Sequence, residues 1–371
     1  MKRLAARECV VACAPQNGDD ALRKQGPHKE QPAMVYGAID LHMRYSWIRI
    51  IDADGIVQRE QRIPTSRERL VQAFDGLGAM RILLETGTES EWVAEVLEGA
   101  GHEVIVADPN FAPMYGELRR TIKTDRRDVA ALAEANRRMW YRATHRVSRE
   151  QRDIRRILRS RRQLVQMRTG TLSLIRSLVR QAGFRAKANV AQGLPKYIAQ
   201  LTLPSTLADT VAPLCRLIDT LNREIATIER RLRAATASDP VITRLQTVPG
   251  VGPIVAMTFR ATIDDITRFD RADQVSAALG LVPRENSSAD RRHRGHISKA
   301  GPSELRSLLV QAAWCSWHTR SNVALRAWAE RIAARRGKRI AVVALARRLS
   351  RILYALWRDC ATYRMEAVIA H

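Results

Sequence analysis

The sequence predicts an α/β first half joined to a predominantly helical second half. Three observations carry this. Short apolar runs containing β-branched residues, closed by turn residues, recur between residues 35 and 107. Spacings of three and four set in near Ser148 and hold to Leu232, and a glycine and proline turn at residues 249–253 opens a further apolar helical region.

Taken in order, residues 1–33 are polar, contain Pro15, Pro27 and Pro32 and show no period, which predicts a disordered tail with Met34 as a candidate alternative start. Strands are expected at Val35–Leu41, Trp47–Ile51, Ile56–Ile63, Arg81–Leu84 and Val104–Ala107. Asp52-Ala53-Asp54-Gly55 reads as the hairpin turn between the second and third runs, with its two carboxylates serving the turn. Helices near 67–78 and 89–100 alternate with these strands and make residues 34–146 an α/β domain. Over 147–239, Ile154, Leu158, Val165, Leu172, Ile175, Val179 and Ala182 form one apolar seam, on which Arg161 and Arg168 also fall. Leu207, Val211, Leu214, Ile218, Leu221, Ile225, Ile228 and Leu232 form a second. Two heptad helices across a connection at 183–204 predict an antiparallel helical hairpin or an oligomerising coiled coil. Residues 240–371 form the third expected domain, mainly α.

The 371 residues carry 62 Lys plus Arg against 38 Asp plus Glu, a net charge of +24. An apolar fraction of 46% supports packed cores and excludes disorder as the whole structure. No run of eighteen apolar residues and no signal sequence are present, so a cytoplasmic, nucleoid-associated location with no membrane partner is expected. Cys9, Cys13, Cys215, Cys315 and Cys360 are odd in number and scattered, which argues against a disulfide framework or a structural zinc site. Such a basic surface attracts polyanions, making nucleic acid the leading partner class. A GC-rich coding sequence explains 54 Arg against 8 Lys but not the excess of basic over acidic residues. Between Arg137 and Lys187 sixteen basic residues face only Glu150 and Asp153, so the first long helix, with Arg155 and Arg162, has a flank suited to phosphates.

The acids offer chemistry. Asp40 and Glu85 each close an apolar strand, and carboxylates at neighbouring strand ends can converge. Asp125 and Asp128 lead into a helical run at a spacing that places both on one face. Four converging acids repel one another unless cations sit among them, and hard oxygen ligands suit Mg²⁺ or Mn²⁺ in a phosphoryl displacement. Singly, each acid is better explained as a cap or turn residue; together the four are not. Asp108, Glu89 and Glu91 read as helix-start residues. Gly250 and Gly252 of Pro249-Gly250-Val251-Gly252-Pro253 would let a phosphate approach a helix N-terminus, as in a helix-hairpin-helix contact, or would simply make a helix-to-helix turn. Residues 280–301 read as a polar cationic loop with Ser287, Ser288, Arg291, Arg292, Arg294 and Lys299. A serine there becomes a nucleophile only beside an activating base or metal, and loop or cap roles are the alternative.

Ala38-Ile39-Asp40, Glu85-Thr86-Gly87, Lys123-Thr124-Asp125-Arg126-Arg127-Asp128, the Pro249 to Pro253 turn and the Ser288 to Gly301 loop together resemble, in order, the DEDD transposases of the bacterial insertion-sequence family numbered one hundred and ten. The likeness runs from about residue 35 to 360 and includes the tail from Gly337-Lys338-Arg339 to Arg358-Asp359. It implies a ribonuclease H-like, resolvase-like N-terminal domain in which Asp40, Glu85, Asp125 and Asp128 bind divalent metal, and a C-terminal transposase domain in which Ser288 forms a phosphoserine link to DNA. Ala289 stands where the family has Gly after that serine, Val129 where Ala is usual, and Leu41-His42-Met43 departs from the common pattern. The resemblance further implies donor and target DNA, a structured bridge RNA as guide, and a dimer or tetramer; if it holds, the heptad helices are expected to reach across protomers and bring one chain's four acids to another chain's Ser288. The competing expectations are a metal-dependent junction nuclease that uses water and a nucleic-acid-binding relic that does not cut.

Overall fold

The computed structural model describes residues 35–111, 114, 124–185, 193–285, 294–319 and 322–364, with Arg294 described in its backbone alone. The expected tail at 1–33 and Ser287, Ser288, Arg291 and Arg292 lie outside the described residues. The chain divides into two units, Met1–Arg146 and Val147–His371.

The first unit is built on five strands: β1 (Tyr36–Asp40), β2 (Tyr45–Ile51), β3 (Val57–Pro64), β4 (Arg81–Glu85) and β5 (Glu103–Ala107). Their order is β3-β2-β1-β4-β5, with β1, β2 and β3 antiparallel in succession and β1, β4 and β5 parallel. This mixed sheet is the arrangement expected of a ribonuclease H-like DEDD transposase domain. Alternation along each strand feeds two cores. Ile39, Ile48, Ile82 and Leu84 face α1 (Arg67–Phe74) and α2 (Ser90–Gly99), whereas Ala38, Ile51 and Leu83 face α3 (Asp125–Arg137). The first expected helix stops at Phe74, because Asp75 is already extended and Gly76 adopts a positive φ.

The direction of α3 is set by one buried amide. Near the C-terminus of α3, Asn136 is fully buried; its Nδ2 donates to the carbonyls of Gly37 and Arg81, both at 2.8 Å, and its Oδ1 accepts from Arg81 Nε at 2.8 Å. Gly37 and Arg81 are at the starts of β1 and β4, so α3 runs against those strands. Eleven residues back toward the N-terminus, at about 1.5 Å each, α3 reaches the ends where β1 and β4 terminate in Asp40 and Glu85.

The second unit contains α4 (Arg149–Gln181), α5 (Leu194–Ala199), α6 (Ser205–Ala235), α7 (Pro240–Leu245), α8 (Pro253–Ile263), α9 (Ala272–Ala278), the hairpin β6 (Pro283–Glu285) and β7 (Arg294–Ile297), α10 (Ser303–His318), α11 (Val323–Arg336) and α12 (Lys338–Arg358). The two long helices pack side by side in opposite directions, since Arg161 meets Glu229 and Arg168 meets Asn222. The seam arginines are thus accommodated by polar partners on α6. Ile154, Leu158 and Leu232 root the pair in the main core with α8, α10 and α12. Leu172, Ile175 and Val179 build a separate small core at the far end with Leu194, Val211 and Ile218. Among the described residues no helix is long and apolar enough to cross a membrane.

Candidate active site

In the parallel pairing of β1 and β4, Ile39 lies opposite Leu84, so the next residues, Asp40 and Glu85, end neighbouring strands at the same edge. The N-cap of α3 is Thr124, whose hydroxyl accepts from Arg127 N–H, and the first turn behind it carries Asp125 and Asp128. Acids near a helix N-terminus are favoured by its dipole, which offsets part of their mutual repulsion. Asp125 and Asp128 come close enough to Asp40 to act on its charge.

Asp40 is more enclosed than Asp125, with its side chain 14% exposed against 57%. Burial pushes its carboxyl above the usual carboxylate range; His42 opposes this, and Asp125 and Asp128 add to it. His42 is the residue that sequence reading passed over except as a departure from the family pattern. Its Nε2 stands 3.2 Å from Asp40 Oδ2 and 3.8 Å from Asp125 Oδ1. No periodicity signals it, because the loop between β1 and β2 folds the imidazole back over the strand end.

The donor set fits a divalent cation. One ligand atom each from Asp40, His42 and Asp125 lies within 4.8 Å of the others. A small cation with bonds of about 2.1 Å holds its ligand atoms roughly 3 to 4.2 Å apart, so only a slight closure is needed. Two carboxylates and an imidazole are donors of the kind that a divalent cation takes. Glu60 supports the same edge: only 12% exposed, it accepts from both Arg49 on β2 and Arg126 in the first turn of α3. That contact ties the acid-bearing turn to the antiparallel side of the sheet.

Several positions expected to meet nucleic acid have other structural work. Arg155 donates to the carbonyls of Ala261 and Thr262 at 2.7 and 2.8 Å, capping the end of α8, and burial holds it below the usual arginine range. Its charge is therefore turned to a helix terminus rather than to a phosphate. Arg162 approaches Glu304 at 3.4 Å. Gly250 has a positive φ, and a Cβ there would fall 2.6 Å from both Ala312 O and Ser316 N. The backbone of α10 closes against Gly250, so this glycine serves helix packing, as the helix-to-helix alternative requires. Gly252, the N-cap of α8, has open space about it.

The expected cationic loop at 280–301 proves to be flanked by a short hairpin, β6 and β7, with Arg294 paired opposite Glu285. Its base is clamped. Ser298 N–H donates to Val282 O, Lys299 N–H to Gly280 O, and Arg306 bridges the carbonyls of Leu279 and Ala300, both at 3.0 Å. Gly280 and Gly301 both adopt positive φ where a Cβ would overlap neighbouring backbone.

Comparison with known proteins joins these two regions in one family. A family model described as Transposase, DEDD_Tnp_IS110, matches residues 38–184, and one described as Transposase IS116/IS110/IS902 family matches residues 242–328. The transposase for insertion sequence element IS1111A of Coxiella burnetii is 33% identical over 331 residues, covering 85% of this chain and 88% of its own length. A probable family 20 transposase of Pseudomonas aeruginosa is 32% identical over 85% of this chain and 96% of its own. The transposase for insertion sequence element IS1328 of Yersinia enterocolitica is 25% identical over 78% and 87%. By this identity and coverage, with the strand-end acids in place, the chain belongs to the IS110 family of DEDD transposases and is a DNA-cleaving and recombining enzyme.

Proposed function

We propose that this enzyme cuts and rejoins insertion-sequence DNA by phosphoryl transfer, with Asp40, Glu85, Asp125 and Asp128 holding Mg²⁺ or Mn²⁺ and Ser288 as nucleophile. The observation that carries the reading is the meeting of Asp40 and Asp125 at the strand end that also bears Glu85. A bound divalent ion supplies charge stabilisation to the phosphate oxygens. The protein's own part is positional. Asn136 and Glu60 hold α3 so that its two acids stay at the strand end, and the clamped base of the β6–β7 hairpin fixes the two points from which the serine segment departs. Ser288 gives up its proton and attacks a backbone phosphorus; the adjoining sugar oxygen leaves with a proton, and the phosphoserine link conserves the bond for rejoining.

Recognition of donor and target DNA is assigned to a structured guide RNA that pairs with both. The protein then needs backbone contacts more than base contacts, which suits a net charge of +24 and an aromatic content of 5%. Arg291, Arg292, Arg294 and Lys299 are the residues proposed to meet phosphates beside the serine. The long helices α4 and α6 are proposed as the assembly element of a dimer or tetramer, through coiled-coil contacts.

The test is a denaturing gel of purified protein with Mg²⁺, labelled element-end DNA and the flanking noncoding RNA, comparing wild type with Ser288→Ala and Ser287→Ala. A covalent protein–DNA band that disappears in Ser288→Ala alone is expected. Cleaved ends without a covalent band would replace the serine reading with hydrolysis by water. No dependence on RNA would remove the guide.

A further inference from the structure

We propose that His42 is a nitrogen ligand of the divalent cation, so that this chain's centre is a mixed nitrogen and oxygen site rather than one made of carboxylates alone. The proposal rests on the reading of Asp40 and Asp125 as metal-holding residues given above.

The imidazole tip lies between two carboxylates that come from different elements, Asp40 at the end of β1 and Asp125 at the start of α3. It is not a core histidine, since its side chain is 54% exposed. Its position is fixed from the other side of the loop. Thr65 Oγ donates to His42 C=O at 2.7 Å. That contact uses the only hydroxyl proton of Thr65, so in the 2.8 Å contact between Ser46 and Thr65 it is Ser46 that donates. Ser46 is completely buried on β2, and Thr65 N–H also donates to Arg44 O at 3.0 Å. Thr65 thus ties the β1–β2 loop down on both sides of Met43, by its hydroxyl, backed by the buried Ser46, at His42 and by its backbone N–H at Arg44, and the histidine that the loop carries is preorganised at the acid cluster.

The chemical consequence is selectivity. Carboxylates alone suit Mg²⁺ and Mn²⁺ similarly as hard donors, whereas an imidazole nitrogen favours the transition-metal ion. His42 therefore tilts the site toward Mn²⁺ without excluding Mg²⁺.

The experiment uses untagged full-length protein with Mn²⁺ as the probe, read by pulsed EPR for ¹⁴N coupling and by titration, with Mg²⁺ as competitor. Wild type is expected to show coupling from one imidazole. His42→Gln should lose it and bind Mn²⁺ on the order of 10- to 100-fold more weakly, with a smaller loss for Mg²⁺. Thr65→Val, which keeps the ligand but cuts the hydroxyl contact, should fall between the two, and thermal midpoints confirm that each variant is folded. Bound Mn²⁺ without ¹⁴N coupling in wild type, or coupling that survives in His42→Gln, overturns the proposal and leaves the acids' role intact. Unchanged Mn²⁺ binding in Asp40→Asn, or none in wild type, overturns both.

Discussion

The two ends of α3 are built on opposite principles. At its C-terminal end, Asn136 is sealed from solvent with its amide satisfied by Gly37, Arg81 and their neighbourhood. At its N-terminal end, Asp125 is open to solvent and, with Asp128, adds to the rise that burial imposes on the Asp40 carboxyl. The closed end contributes stability and the open end stores repulsion. What this teaches is a division of labour: a helix can present mutually repelling acids because its far end is held by polar groups that have no other task.

The sharpest way to break the contrast is Asn136→Ala. Two carbonyls and Arg81 Nε lose this partner, and with about 1–3 kcal/mol per stranded group, at the low end for the part-buried Arg81 whose guanidinium keeps the Asn136 carbonyl, the first unit should lose at least about 3 kcal/mol, measured by denaturant unfolding. Activity would fall because the unit unfolds. Asp40→Asn should do the reverse. DNA cleavage should drop roughly 100- to 1,000-fold, the scale on which single electrostatic groups act in catalysis, while the thermal midpoint is no lower than that of wild type because a like charge has been removed. A midpoint that falls with Asp40→Asn would mean that the acids are structural.

Glu60→Gln tests the link between the ends. It keeps the shape but removes the charge that engages Arg49 and Arg126, so a cost of about 1 kcal/mol is expected, with cleavage reduced several-fold through loosening of the first turn of α3. The smallest effect belongs to His102, beside the start of β5. Burial lowers its pKa from the ordinary 6.5, and its Nδ1 is enclosed with no hydrogen-bond partner among the described residues. The folded unit therefore takes up this proton less readily than the unfolded chain. Stability should be full above pH 6.5 and decline as pH falls below it, and His102→Phe should flatten that slope in unfolding curves taken at several pH values.

Much of the scaffold was legible because periodicity records burial on one face. The five strands of the first unit and the seams of α4 and α6 follow from spacing, and Ile154, Leu158, Leu172, Ile175 and Val179 are all buried as the seam requires. Asp40 and Glu85 were readable as strand-end acids. Other features depend on long-range contact, which spacing does not encode. Gly250 left a phosphate turn and a helix-to-helix turn both open because a glycine declares freedom of φ without naming the neighbour, here the backbone of α10 more than sixty residues later. Arg155 looked solvated because its carbonyl partners lie on α8. The β6–β7 hairpin escaped notice because strands of three and four residues are too short to show an apolar alternation. His42 escaped because its proximity to Asp125 exists only after the β1–β2 loop and α3 have met.

The order of the acids along the chain has a consequence for synthesis. Asp40 and Glu85 belong to strands completed early, but Asp125 and Asp128 begin the last element of the first unit, and the amide that orients that element is Asn136. A nascent chain that has emerged only as far as β5 holds half of the acids and nothing to bring in the rest. On the reading proposed above, the acid set is completed in a single late step, when α3 docks, and a product truncated before it has neither the full set of acids nor the serine that follows them in the chain.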